Sequence, residues 1–206
     1  MRRMIAVFLP ALLLAGCAAP VEENSPVSAP APAVRVERMS SSMVEASARP
    51  LLEAEVLAAY ERAQRVYGWF DLAPLPSSGE SAAWDGVIYH RVEMEGIENL
   101  EDLRAYLRGV FSQELTDRLL DGRTARIQYR NIEGALYVSG EPRALKAGKG
   151  QARVETEQLE DGLYSVNVMV DLLAEDGETV AGLESWSFPY AFVEDRWVFT
   201  DFRLVA

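Results

Sequence analysis

Tyr164-Ser165-Val166-Asn167-Val168-Met169-Val170-Asp171-Leu172 alternates large apolar residues with mostly polar ones, the period-two signature of a long strand with one buried face. The chain turns at Asp176-Gly177 and returns through Thr179 to Phe188, where Val180, Gly182, Glu184, Trp186 and Phe188 share a face. Glu194-Asp195 turns it again into Trp197 to Phe202. Such runs, joined by short polar turns, are consecutive antiparallel hairpins. Upstream, Ala125 to Arg130 and Ala135 to Ser139 are shorter extended runs split by Glu133-Gly134, and Val87 to Val92 reads as another strand.

The period changes nearer the N-terminus. From Leu51 to Phe70, Leu52, Val56, Ala59, Ala63, Val66 and Phe70 recur at three- and four-residue spacing and paint one apolar stripe on a helix. Pro50 suits its first turn, Gly68 weakens its end, and Pro74 and Pro76 stop it. Asn99, with Asp102 three residues on, caps a second helix that carries Leu100, Leu103, Leu107 and Val110. A third starts near Ser112, carries Leu115, Leu119 and Leu120, and ends at Gly122. Helices followed by long antiparallel strands predict an α+β domain, its N-terminal helices packed on a curved antiparallel sheet in a cystatin-like or NTF2-like arrangement.

Residues 1–16 have the grammar of an export signal: Arg2 and Arg3, an apolar run from Met4 to Leu14, then small residues. The run is shorter than the roughly 18 to 20 apolar residues that cross a bilayer, and Pro10 interrupts it. Leu14-Ala15-Gly16-Cys17 forms a lipobox that places the chain's single cysteine at the acylation point. The alternative is a general secretory signal, with Ala15, Ala18 and Ala19 supplying an Ala-x-Ala-like pattern before a slightly later cleavage point. Cys17 is therefore the expected lipid-attachment residue of an extracytoplasmic lipoprotein. It would be held on the outer face of the cytoplasmic membrane, or on an outer membrane where the cell has one. Two or more acyl chains give the stable anchoring that one does not. With Cys17 acylated, no thiol is left for a disulfide, a nucleophile or a metal site.

Residues 17–49 shift to Ala, Pro, Ser, Val and Glu, with Ala29-Pro30-Ala31-Pro32 and Ser40-Ser41-Ser42, and read as an extended tether. Residues 50–206 have the size of one domain with one core. Removing Arg2 and Arg3 from the 20 basic residues leaves 18 against 32 acidic ones, a net charge of about −14. That balance argues against nucleic acid, which requires clustered Lys and Arg, and against docking on anionic lipid. A basic protein surface is the better match, alongside a plain solubility role.

The chemistry-bearing residues form no catalytic signature. His90 is the single histidine and sits within a strand, and Ser185 and Ser187 lack the Gly-x-Ser-x-Gly setting of a nucleophile. A His-based metal cluster is excluded by count. Asp171, Glu175, Asp176 and Glu178 gather at a hairpin tip without the Asp-x-Asp-x-Asp-Gly run of a calcium loop. Gly148-Lys149-Gly150 lacks the phosphate-loop pattern and reads as a flexible basic loop before a strand. The aromatics, among them Trp69, Trp84, Tyr89, Tyr137, Trp186, Tyr190 and Trp197, read chiefly as sheet core, some as possible lining of a concave face. No catalytic residue, metal or cofactor is expected.

Four segments, in this order and spacing, resemble one family. They are Tyr67-Gly68-Trp69-Phe70-Asp71-Leu72 with Pro74 and Pro76; Asn99 to Leu120 with Phe111-Ser112 and Glu114-Leu115; Tyr129 to Tyr137; and the ending Trp197-Val198-Phe199-Thr200-Asp201-Phe202. They resemble the IseA-type inhibitors of peptidoglycan D,L-endopeptidases across nearly all of residues 50–206. The resemblance implies a non-enzymatic regulator that binds the catalytic domain of NlpC/P60-type cell-wall hydrolases, blocks the substrate groove and moderates autolysis. An acidic chain suits a basic hydrolase. The family offers no inhibitory motif to carry over position by position. Two other readings stand beside it. One is a small-ligand or envelope-component binding module on an NTF2-like concave face. The other is a carboxylate enzyme, which requires two converging acids of separated pKa.

Overall fold

The helix α1 (Glu53–Asp71) leads the folded region. In the computed structural model, residues 48–122, 125–144 and 148–205 are described, and contacts divide the chain between Ser42 and Met43. The signal segment, Cys17 and the tether up to residue 47 lie outside the described residues, as do residues 145–147 of the basic loop. Leu52 is the N-cap of α1 and offers no side-chain oxygen. Instead Glu55 reaches back to accept the Leu52 N–H at 2.9 Å, and Arg49 holds the same carboxylate at 2.5 Å. Pro50 lies two residues before this cap, outside the first turn. The chain is fixed there by Tyr164, whose hydroxyl accepts the Leu51 N–H at 2.9 Å and donates to the Leu51 carbonyl at 3.1 Å.

The buried stripe of α1 is Val56, Tyr60, Ala63, Val66 and Phe70. Leu52, expected on it, is 71 % exposed because it precedes the first turn, and Tyr60 enlarges the face instead. This stripe packs on the strands β5 (Lys149–Glu160) and β6 (Leu163–Leu173). Tyr164, Val166, Val168 and Val170 of β6 are buried in alternation, as their period predicts. Each fully buried valine of this kind contributes about 1.5–3 kcal/mol of transfer free energy.

The two shorter helices match their caps. α2 (Leu100–Arg108) begins where the Asn99 side chain accepts the Glu101 and Asp102 N–H groups, and Asp102 accepts the Asn99 N–H in return. α3 (Gln113–Leu120) follows the N-cap Ser112. Between α2 and α3, Phe111 bridges to Phe199, so the helix corner is bonded directly to a strand. The Ser112 N–H donates to the Phe199 carbonyl, and the Phe199 N–H to that of Val110.

The strands form two antiparallel sheets, where a single curved one was expected. The first has the order β1-β2-β4-β3, built from β1 (Ser77–Trp84), β2 (Val87–Val92), β3 (Gln128–Ile132) and β4 (Ala135–Ser139). The second runs β5-β6-β7-β8, with β7 (Val180–Val193) and β8 (Arg196–Phe199). The long strands pair only with sequence neighbours, while β2 pairs with β4 through His90↔Val138 and Arg91↔Tyr137, across the intervening helices. That pairing is what separates an upper hairpin pair from the main meander. The fold class is α+β, with three helices and two sheets among the described residues, and two of the helices lie between strands instead of preceding them all.

One hydrophobic cluster unites helices and both sheets, from Val56 on α1 through Leu136 and Val138 on β4 to Phe188, Phe199 and Phe202. β7 runs past the expected Phe188 to Val193, continuing through Pro189, one residue before β8 begins to pair at Tyr190.

Candidate interaction site at the β1–β2 hairpin

β1 and β2 are joined by Asp85-Gly86, with φ of 48° and 78°. Positive φ at both central residues matches a type I′ turn, whose twist suits a tight hairpin and which Asp-Gly favours. The register runs Trp84↔Val87, Ala83↔Ile88, Ala82↔Tyr89 and Ser81↔His90, then slips before Ser77↔Val92. The rungs of β2 with β4 are at His90 and Arg91. Toward the turn, therefore, the hairpin is two-stranded and projects beyond the four-stranded part of its sheet.

Its tip is apolar on both sides. Trp84 and Val87 form one rung and point to one face, and Ile88 points to the other. These three are 43 %, 45 % and 63 % exposed. Three large apolar side chains exposed at one projecting turn, two on one face and one on the other, mark an interaction site or an aggregation hazard.

The face behind Trp84 is ordered by charge. The Arg130 guanidinium lies 5.0 Å from the centre of the Trp84 ring and 6.0 Å from that of Tyr89. Arg91 donates to Glu80 at 2.9 Å, and the Tyr137 hydroxyl donates to the other oxygen of the same carboxylate at 2.9 Å. The Glu80 carboxyl is held below its ordinary range, first by Arg91 and then by the Tyr137 hydroxyl, while the phenol of Tyr137 is pushed up. Tyr89, Ile132 and Tyr137 form a small second cluster beneath these groups. The hairpin base is therefore fixed on one side while its tip remains open.

The other sequence-marked groups are dispersed over strands and turns. His90 is exposed on β2. Ser187 Oγ lies 2.6 Å from Ser165 Oγ on the neighbouring strand, and Ser185 pairs with Met169. Asp171 meets Arg153 at 3.3 Å. Asp176 binds its own turn, accepting from the Thr179 hydroxyl and from the N–H groups of Thr179 and Glu178, which holds its carboxyl down at about 2. No group of three His, Cys, Asp or Glu among the described residues could hold a metal ion. Lys149, expected in a flexible loop, begins β5 and meets Glu184 at 2.6 Å. The Arg203 guanidinium covers Trp186 at 4.0 Å. Cys17 lies outside the described residues, and no described helix is long and apolar enough to cross a membrane.

Sequence reasoning passed over β1 and hence the hairpin. Ser77-Ser78-Gly79-Glu80-Ser81-Ala82-Ala83-Trp84 has no β-branched residue to announce a strand. The available signal was Asp85-Gly86 immediately before the apolar start of β2. Comparison with protein-family models finds no match, and comparison with curated proteins finds none either.

Proposed function

We propose that this protein is a cell-envelope lipoprotein, acylated at Cys17, that binds the catalytic domain of an NlpC/P60-type D,L-endopeptidase and restrains it, with the β1–β2 hairpin as the inserting element. The observation that carries the reading is the projecting apolar tip of Trp84, Val87 and Ile88. A two-stranded finger with an aromatic end is shaped to enter a groove, and buried Trp side chains dominate binding energies at protein interfaces. The formal charge of −12 on the whole chain favours approach to a basic hydrolase. The proposed partners are thus a protein groove and, through lipid, a membrane, with no nucleic acid and no catalysis by the chain itself. We also propose a cystatin-like or NTF2-like arrangement, a reading that the packing of α1 on β5 and β6 supports.

The test is a turnover assay in which the purified protein is titrated against a panel of NlpC/P60 domains acting on muropeptides. Inhibition of at least one domain at micromolar protein is expected. No inhibition across the panel removes the reading.

A further inference from the structure

The end of the second sheet carries a row of aromatics on one face. The rungs Tyr190↔Phe199 and Phe192↔Trp197 place these four side chains together. Tyr190 stacks on Trp197 at 5.5 Å and meets Phe199 at 4.6 Å. Opposite them α1 presents Ala58, Ala59 and, at the rim, Arg62, and the segment just after α2 presents Gly109 and Val110. Small residues facing large flat ones leave a gap, a half-open cavity of about 240 Å³ whose rim is Arg62.

Two polar groups line this cavity, the exposed guanidinium of Arg62 and the hydroxyl of Tyr190. The Arg62 guanidinium stands 5.1 Å from the centre of the Tyr106 ring. Burial pushes the Tyr190 phenol up, Arg62 draws it down and Glu55 raises it again. An exposed guanidinium and a hydroxyl lining one cavity are groups that can hold a carboxylate. Aromatic walls and an alanine floor are the chemistry that holds an apolar body. The volume is below that of typical drug-sized sites and restricts the body to a few carbons or one ring.

We infer that the cavity between α1 and the β7–β8 end is a binding site for a small apolar carboxylate, with Arg62 and Tyr190 taking the charged group and the rings of Tyr190 and Trp197 taking the body. The same chemistry is offered by a free acid and by the C-terminal residue of a peptide. The site is separate from the β1–β2 hairpin, so its occupancy is measured without reference to hydrolase inhibition.

The experiment is calorimetric titration of the full chain with 3-phenylpropionate, with 3-phenylpropanol as its uncharged counterpart and with acetyl-glycyl-phenylalanine as the peptide-borne form. Amide chemical shifts locate the bound probe. Saturable binding of at least one carboxylate is expected, at least tenfold tighter than the alcohol, with shifts centred on Ala59, Gly109 and Trp197. Arg62→Gln weakens it at least tenfold while leaving the unfolding midpoint unchanged, and Ala59→Leu, which fills the gap, abolishes it. Preference for the acid or for the peptide identifies the source. Absence of saturation by both carboxylates, equal binding of the alcohol, undiminished binding by either variant, or shifts centred elsewhere overturns the proposal.

Discussion

Replacing Phe202 by Ala should cost more stability than any single change at the hairpin tip. Phe202 is 3 % exposed and its ring lies 4.8 Å from Phe188, 5.2 Å from Phe199, 5.7 Å from Tyr67, and 5.8 Å from both Tyr60 and Phe111. It therefore joins α1, the α2–α3 corner, β7 and β8 at one point. Truncating a buried Phe to Ala costs about 3–5 kcal/mol from lost transfer and the cavity left behind. The surrounding rings are held from four directions and cannot collapse into the space, which places the cost toward the upper end. Domain stabilities run to about 5–15 kcal/mol, and about 2–4 °C is lost per kcal/mol at this size, so the midpoint should fall by roughly 6–20 °C. Urea titration followed by far-UV circular dichroism measures the change directly. A loss below about 1 kcal/mol would refute the packing argument, since no buried ring with these neighbours could be removed so cheaply.

Tyr129→Phe should destabilise by about 1–3 kcal/mol, because the hydroxyl accepts the Leu75 N–H at 2.9 Å and donates to the Trp69 carbonyl at 3.0 Å, both of which would be left unpaired. Equal urea midpoints for the two proteins would contradict this. Asn99→Ala removes the acceptor of two α2 N–H groups and should cost about 1 kcal/mol, read by the same method, with Asn99→Asp largely sparing it. The Glu55 carboxyl is held at about 2, against an ordinary 4.5, first by its hydrogen bond to Arg49 and then by the Leu52 N–H. A depressed acid stabilises the fold fully above its unfolded value and loses that contribution as pH falls from about 4.5 through about 2. Carboxyl carbon shifts should show a Glu55 midpoint well below that of other glutamates, and Glu55→Gln should reduce the acid sensitivity of α1; an ordinary midpoint would count against the cap.

Much of this architecture is legible in the sequence where a local rule acts alone. Val166, Val168 and Val170 alternate and are buried in alternation; Asn99 with Asp102, and Ser112, mark helix starts that form as written. Legibility fails where long-range pairing decides. Nothing local says that β2 joins β4, so two sheets are indistinguishable from one curved sheet. β5 is an edge strand whose outer positions are Arg153, Glu155 and Glu157, charges that keep an edge soluble and erase the apolar period. The hairpin was hidden for a related reason. An exposed strand needs no apolar face, so Ser77–Ala83 carries little pattern, and the exposure of Trp84 depends on where the third strand stops. The cavity at Arg62 is equally nonlocal, since it arises from alanines on one element facing aromatics on two others.

Engagement of the hydrolase by the hairpin tip is tested by a paired inhibition titration of the wild-type protein and Trp84→Ala. Trp84 is half-exposed and the stacked Arg130 covers its ring, a contact worth about 0.5–1 kcal/mol at such a site, so the variant should remain folded with its unfolding midpoint little changed. At an interface the same side chain is expected to contribute about 2 kcal/mol or more, which is roughly a thirtyfold loss of inhibitory potency. A wild-type protein that inhibits, beside a folded variant that inhibits roughly thirtyfold less, is the result this account predicts. Equal inhibition by the two proteins would contradict it.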